Sequence, residues 1–144
     1  PVGLCAISWR RKVMRARSFG SNLGPQEYQE VIYEDLVDNP ADTLQKVTGA
    51  LGLPMVQEML KFHEGKTQEA PGLSSKDAWL PPTPGLRDWR DQLSSQQKEL
   101  FEALAGDLLS ALGYERAFES FSPEIQERAA WCEEIWPKSR AGKL

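Results

Sequence analysis

Cysteine and histidine are nearly missing from this chain, and long apolar runs are missing altogether. Cys5 and Cys132 are the two cysteines in 144 residues, and His63 is the single histidine. Two distant thiols are no disulfide framework, and one histidine gives no zinc-type spacing, so the expectation is a metal-free protein of the reducing cytoplasm. No apolar stretch approaches the roughly 20 residues that a membrane span needs, which sets membrane insertion aside. A net charge of −4 argues against bulk nucleic-acid binding. The chain opens Pro1-Val2-Gly3 without an initiator methionine. The apolar residues before Arg10 are followed, not preceded, by positive charge, which disfavours a secretory leader and points to a trimmed chain or a fragment.

What is present is ordinary in amount and uneven in placement. With 40% hydrophobic and 26% charged residues, 144 residues can bury one core of moderate size, so residues 1–144 read as a single unit. Arg10, Arg11, Lys12, Arg15 and Arg17 put five positive charges in the first 18 residues with no acid among them, leaving −9 for the rest. A solvated helix face accounts for such a run. The sharper alternative is that some of these arginines face a phosphate-bearing ligand or an acidic partner.

Residues Leu4 to Phe19 have helical spacing through Trp9, Val13 and Ala16. Gly20, Ser21, Asn22, Gly24 and Pro25 then break the chain ahead of a Tyr28 to Tyr33 segment whose Val31 and Ile32 favour a half-buried strand. Asn39 and Pro40 give an N-cap with proline at the first helical position, and Asp42 faces the positive end of the helix dipole. Leu44, Val47 and Leu51 follow on one face until Gly52 and Pro54 end the helix. Pro54 to Phe62 allows a weaker helix with Met55, Met59, Leu60 and Phe62 as its apolar positions. From Gly65 to Gly85 glycine, proline, serine and threonine predict a long irregular loop. Ser94 and Gln97 form a capping box for a helix that runs to Leu112 with Gly113 as its stop. Gly106 inside it costs about 1 kcal/mol against alanine, which predicts a neighbouring backbone pressed close. Ser122 and Pro123 start a last helix, with Ile125, Ala129, Cys132, Ile135 and Trp136 on one face and Pro137 at its end. A lone strand has no partners for its N–H and C=O groups, so missing strands or association with another copy is expected.

Two blocks carry a family resemblance. Tyr33-Glu34-Asp35-Leu36-Val37, Asn39-Pro40 and Leu51-Gly52-Leu53-Pro54 are similar to a block of bacterial sulfotransferases that use 3′-phosphoadenosine 5′-phosphosulfate. Leu86-Arg87-Asp88-Trp89-Arg90, followed by Leu93-Ser94 and by Leu112-Gly113-Tyr114, resembles that family's closing block. The resemblance covers about residues 9–114 and implies the C-terminal part of a P-loop α/β sulfotransferase-like domain, with 115–144 as a helical extension. The piece itself is expected to be mostly α, with four to five helices and one short strand.

The resemblance implies roles for individual residues. By that resemblance Tyr33 touches the adenine, with a buried strand aromatic as the equal alternative, and the loop from Lys76 to Arg90 closes over the nucleotide. Where the family carries a basic residue and glycine for the 3′-phosphate, this chain has Pro82-Thr83-Pro84, leaving Lys76, Arg87, Ser74 and Ser75 as substitutes. Glu34 and Asp35 fix the turn into the helix, and either is the first partner to try for Arg90. Trp89 and Arg90 make a packing and ion-pair anchor. No Gly-rich strand-to-helix loop with lysine and Ser/Thr occurs, and no residue qualifies as the general base. His63 has no local base or metal partner and reads as a surface or capping residue. The function expected is therefore sulfuryl transfer to an unknown acceptor as part of a complete domain, by a chain inactive alone. The alternatives are a small helical protein-interaction module and a degenerate sulfotransferase scaffold that no longer binds nucleotide.

Overall fold

Residues 2–64, 83–85 and 88–139 are described by the structure, a computed structural model. They belong to two bodies, one of Pro1–Phe19 with Asp88–Leu144 and the other of Gly20–Arg87. Helices are α1 (Val2–Gly20), α2 (Tyr33–Asp38), α3 (Pro40–Ala50), α4 (Trp89–Gln92), α5 (Ser95–Ala111) and α6 (Pro123–Ile135). Short 3₁₀ segments cover Gln57–Glu64 and Trp136–Lys138.

The first body is built on α5. Its start follows from two side chains: Ser94 Oγ accepts from Gln97 N–H at 3.3 Å, and Gln97 Oε1 accepts from Ser94 N–H at 2.9 Å. Its end follows from Gly113 at φ +84, where Tyr114 N–H reaches Leu109 C=O at 2.9 Å and Gly113 N–H reaches Ser110 C=O at 3.1 Å. Between these ends Leu100, Leu104, Ala105, Leu108 and Leu109 are buried. Ala6 and Ile7 of α1 and Ile125, Cys132 and Trp136 of the last segment complete the core. The buried part of α1 thus lies toward its start, and Ala16, expected on its apolar stripe, is exposed. Trp9 meets the Phe101 ring at 5.5 Å, and Trp89 stacks on the same ring at 6.3 Å, so three aromatics tie α1, α4 and α5 together.

One carboxylate lies inside this apolar packing. Glu102 is 2% exposed. Its Oε1 accepts from Ala117 N–H at 3.0 Å, its Oε2 accepts from Phe118 N–H at 3.2 Å, and Arg116 Nε stands 3.8 Å away. One turn earlier Glu99 Oε1 accepts from Ser122 N–H at 2.7 Å. Two glutamates of α5 therefore hold the backbone that leads into α6. The same loop explains Gly106: a Cβ there would stand 3.0 Å from Arg116 Nε. The close neighbour is a guanidinium and not the backbone expected from the sequence.

On the outer face Arg10 donates to Asp107 Oδ2 at 2.8 Å and lies 3.7 Å from Glu133, joining α1, α5 and α6. Arg17 donates to the C=O of Ala111 at 3.4 Å, at the negative end of α5. Two of the five early positive charges thus make intramolecular contacts.

The expected strand is absent among the described residues. Ile32 is extended, at φ −77 and ψ 130, but it is the N-cap of α2, and Tyr33 already belongs to the helix. Leu36 N–H closes the first turn on Ile32 C=O at 3.1 Å, with Glu34 and Asp35 at the positive end of the helix. A β-branched pair with no neighbouring strand gains no ladder, so the following residues take the hydrogen bonds that a helix supplies locally. The Pro54–Phe62 segment is likewise 3₁₀ and shifted, with Lys61 outside helical geometry at φ −107 and ψ 21.

Glu102→Ala should cost about 3 kcal/mol in urea unfolding, because Arg116 and two part-buried N–H bonds lose their acceptor. Cys5 is exposed and Cys132 buried. Burial pushes the Cys132 thiol up, against the pull of the Arg128 charge. An Ellman titration of the folded chain should release one equivalent of thiolate quickly and the second only after denaturant is added.

Candidate functional site

Between Val31 and Pro54 the second body turns a short sequence block into a helix–helix corner. Asn39 N–H donates to Asp35 C=O at 2.9 Å, and Thr43 Oγ1 donates to the same oxygen at 3.0 Å. One carbonyl thus satisfies the end of α2 and fixes the start of α3. Asn39 occupies the N-cap, but its side chain makes no cap hydrogen bond, and Pro40 supplies the preset φ at the first position. The far end of α3 closes on Gly52 at φ +68, with Leu53 N–H on Thr48 C=O at 2.8 Å and Gly52 N–H on Gly49 C=O at 3.2 Å. Thr48 is buried and returns its hydroxyl to Leu44 C=O at 2.9 Å.

Tyr33 stands at the first turn of α2 and is 51% exposed, with Val31 at 44%. Its ring is available to a planar ligand, which a strand aromatic buried in a core is not. Beside the corner lies a cleft of about 390 Å³ lined by Val31, Ile32, Asn39, Thr43 and Val47. Glu30, Asp35, Asp42 and Lys46 also line it. Three carboxylates against one ammonium make that cleft a poor seat for a phosphate. Any phosphate-bearing ligand against Tyr33 has to draw its cations from elsewhere.

Trp89 and Arg90 form the second group of sequence-selected residues and belong to the first body. Asp88 caps α4, its Oδ1 accepting from Arg90 N–H at 2.8 Å. The Arg90 guanidinium reaches that carboxylate at 3.6 Å and lies 4.7 Å from the Trp89 ring centroid. Cation–π contact and ion pair together hold Arg90 on α4. Lys76, Arg87, Ser74 and Ser75 lie outside the described residues, as does most of the Gly65 to Gly85 loop. His63 has a buried Nδ1 with no hydrogen-bond partner among the described residues and contacts Phe62 edge-on.

Sequence reading missed the buried Glu102 with its Arg116 partner and the cavity beside Arg128 and Trp131. The first was signalled by position: Glu102 shares a helix face with Ala105 and Leu109, three and seven residues on, both buried. The second had no local signal, because it needs α5 and α6 side by side.

A family model described as "Sulfotransferase family" matches residues 2–58, which contain α1, α2, α3 and the corner between the last two. Carbohydrate sulfotransferase 2 of Mus musculus and its namesake of Homo sapiens are each 36% identical over 92 residues. That alignment covers 62% of this chain and 17% of each relative, so the chain spans under a fifth of the length of the curated relatives it matches. No solved structure matches.

The relatives also correct one expectation. Cytoplasmic residence, expected from the scarce cysteines, is overturned by the likeness to carbohydrate sulfotransferase 2. Two distant thiols, one buried, do not report the redox state of a compartment. No helix among the described residues is long and apolar enough to cross a membrane.

Thr43→Val should destabilise the corner by about 1 kcal/mol by removing the second donor to the Asp35 carbonyl. Gly52→Ala should cost about 1–2 kcal/mol, since it forces a Cβ into left-handed geometry. Both losses are read from the midpoint of urea unfolding, with a Gly49→Ala control at ordinary helical φ showing none.

Proposed function

We propose that the chain, whose residues 2–58 match the sulfotransferase family model, is part of an enzyme moving a sulfuryl group from 3′-phosphoadenosine 5′-phosphosulfate to a carbohydrate hydroxyl. The acceptor class rests on the name of the relatives, carbohydrate sulfotransferase 2. In the reaction the acceptor oxygen bonds to sulfur, the bridging bond to the 5′-phosphate breaks, and the hydroxyl proton leaves to a base. Adenosine 3′,5′-bisphosphate is the other product. A protein catalyses such a transfer chiefly by aligning donor with acceptor and by stabilising the charge on the departing phosphate.

The observation carrying this reading is the corner at Tyr33–Pro54. Its sequence block lies wholly within the family match, and its carbonyl and glycine hydrogen bonds explain why the letters stand at those spacings. In our reading Tyr33 meets the adenine, Lys76 and Arg87 meet phosphate, and Glu34 with Asp35 fixes the turn. Trp89 and Arg90 anchor the end of the nucleotide-covering loop. The chain then forms the C-terminal part of the sulfotransferase-like domain, with residues 115–144 as an addition to it, and other sequence supplies the donor-gripping loop.

One observation favours a second reading. The cleft beside the corner is acidic, as in a scaffold that keeps the family's shape and has given up the nucleotide, serving instead to bind another protein. Calorimetric titration of the 144-residue chain with adenosine 3′,5′-bisphosphate separates the two. The first reading expects heat with a Kd on the order of micromolar, weakened about tenfold by Tyr33→Ala through lost base stacking. A silent titration overturns donor binding and leaves the scaffold.

A further inference from the structure

The first body holds a cavity of about 370 Å³ between the start of α1, the start of α5 and the outer face of α6. Its floor is Leu100 and Cys132, and its walls carry Ser94, Gln96, Gln97, Arg128 and Trp131. Three features set it apart. Trp131 remains 58% exposed while lining a hollow, although a few residues away Trp136 is packed into the core. Arg128 has no acid partner among the described residues, whereas Arg10, Arg90 and Arg116 each have one. Among the described residues no carboxylate lines the cavity, in a chain with 21 acidic residues.

These side chains define a ligand by their chemistry. An indole with one face open takes a flat apolar surface, such as the C–H face of a sugar ring, while its surroundings stay wet. A lone guanidinium matches one oxyanion in a fork and is too little for a nucleotide with several phosphate charges. Amides and a hydroxyl suit the ring hydroxyls. The volume lies at the lower end of the roughly 300–1,000 Å³ typical of small-ligand sites. Arg128 and Trp131 are three residues apart on α6 and so share a face. They lie outside the family-matched residues 2–58.

We propose that this hollow is a saccharide subsite that takes a singly anionic sugar, its carboxylate or sulfate ester on Arg128 and its ring against Trp131. The proposal deepens the carbohydrate-acceptor reading above and rests on it: the subsite holds a sugar of the acceptor other than the one that reacts.

The test is calorimetric titration of the full chain with three disaccharides: one bearing a uronate and no sulfate, one bearing a single sulfate and no uronate, and a neutral one. At least one anionic probe should bind, the neutral one at least about tenfold more weakly, and the responding arm tells carboxylate from sulfate. Trp131→Ala and Arg128→Gln should each weaken that binding about tenfold, equivalent to about 1.4 kcal/mol. Circular dichroism should show both variants folded, as both positions are exposed. Adenosine 3′,5′-bisphosphate, titrated in parallel, should be indifferent to both substitutions. Absence of saccharide binding, equal binding of the neutral sugar, or binding untouched by both variants overturns the subsite. If the bisphosphate binds meanwhile, the proposed donor chemistry still stands. Loss of bisphosphate binding in the two variants would make the hollow a nucleotide site and overturns the proposal as well. Anionic saccharide bound beside a silent bisphosphate keeps the subsite and removes the donor reading.

Discussion

The buried carboxylate of Glu102 is the constraint on which the first body depends. Removing an ion from water costs several kcal/mol, and the cost is offset only where hydrogen bonds and an opposite charge are already in place. Here they are the N–H groups of Ala117 and Phe118 and the guanidinium of Arg116. All three come from the loop that follows α5, so the carboxylate is tolerable only when that loop has folded back. Glu99 repeats the device one turn earlier on Ser122, the N-cap of α6. The direction in which α6 leaves is thus set by two acids on a helix that precedes it, and with it the burial of Ile125, Cys132 and Trp136. Arg116 must lie flat across α5 to serve Glu102, and Gly106 is the residue that leaves it room.

The second body solves a different problem with other means. Among its described residues, Thr48 is the buried one in α3. What shapes it is backbone hydrogen bonding: an Asp35 carbonyl that accepts twice, a proline at the head of α3, and a glycine at its foot. A structure held by such bonds is specified locally, and the residues that specify it are the same ones that carry the family resemblance. The Leu-Gly-Leu at residues 51–53 and the Leu-Gly-Tyr at 112–114 look like two unrelated signatures in the sequence. In the structure they are one motif used twice, a left-handed glycine that turns the chain out of a helix and returns two N–H groups to its last carbonyls.

How much could be read in advance follows from that division. Helix ends with their own chemistry were legible: the capping box at Ser94 and Gln97, Pro40 and Pro123 at first positions, Gly52 and Gly113 as stops. Features that depend on a neighbour were not. Val31 and Ile32 suggested a strand because propensity describes how residues fit a sheet, and no sheet stands beside them among the described residues. The helical spacing of Trp9, Val13 and Ala16 lies further along α1 than its buried residues, Ala6 and Ile7, because which turn of a helix is covered depends on its neighbours. The tight spot at Gly106 was expected, but its occupant is ten residues away in sequence and reaches back through a turn that no periodicity announces. Of the candidate site, Tyr33 could be named from its motif and its exposure could not. The hollow at Arg128 and Trp131 exists only once two helices are laid together.

The reciprocal bonds between Ser94 and Gln97 and the glycine turn at 113 have one more consequence. Both lie within 20 residues of each other and neither draws on the rest of the molecule, so the length of α5 is written into its own segment. When the core loosens, that segment has reason to keep its limits while its partners lose theirs. Recovery from a partly melted state would then begin from a rod of fixed extent, onto which the remaining helices are hung.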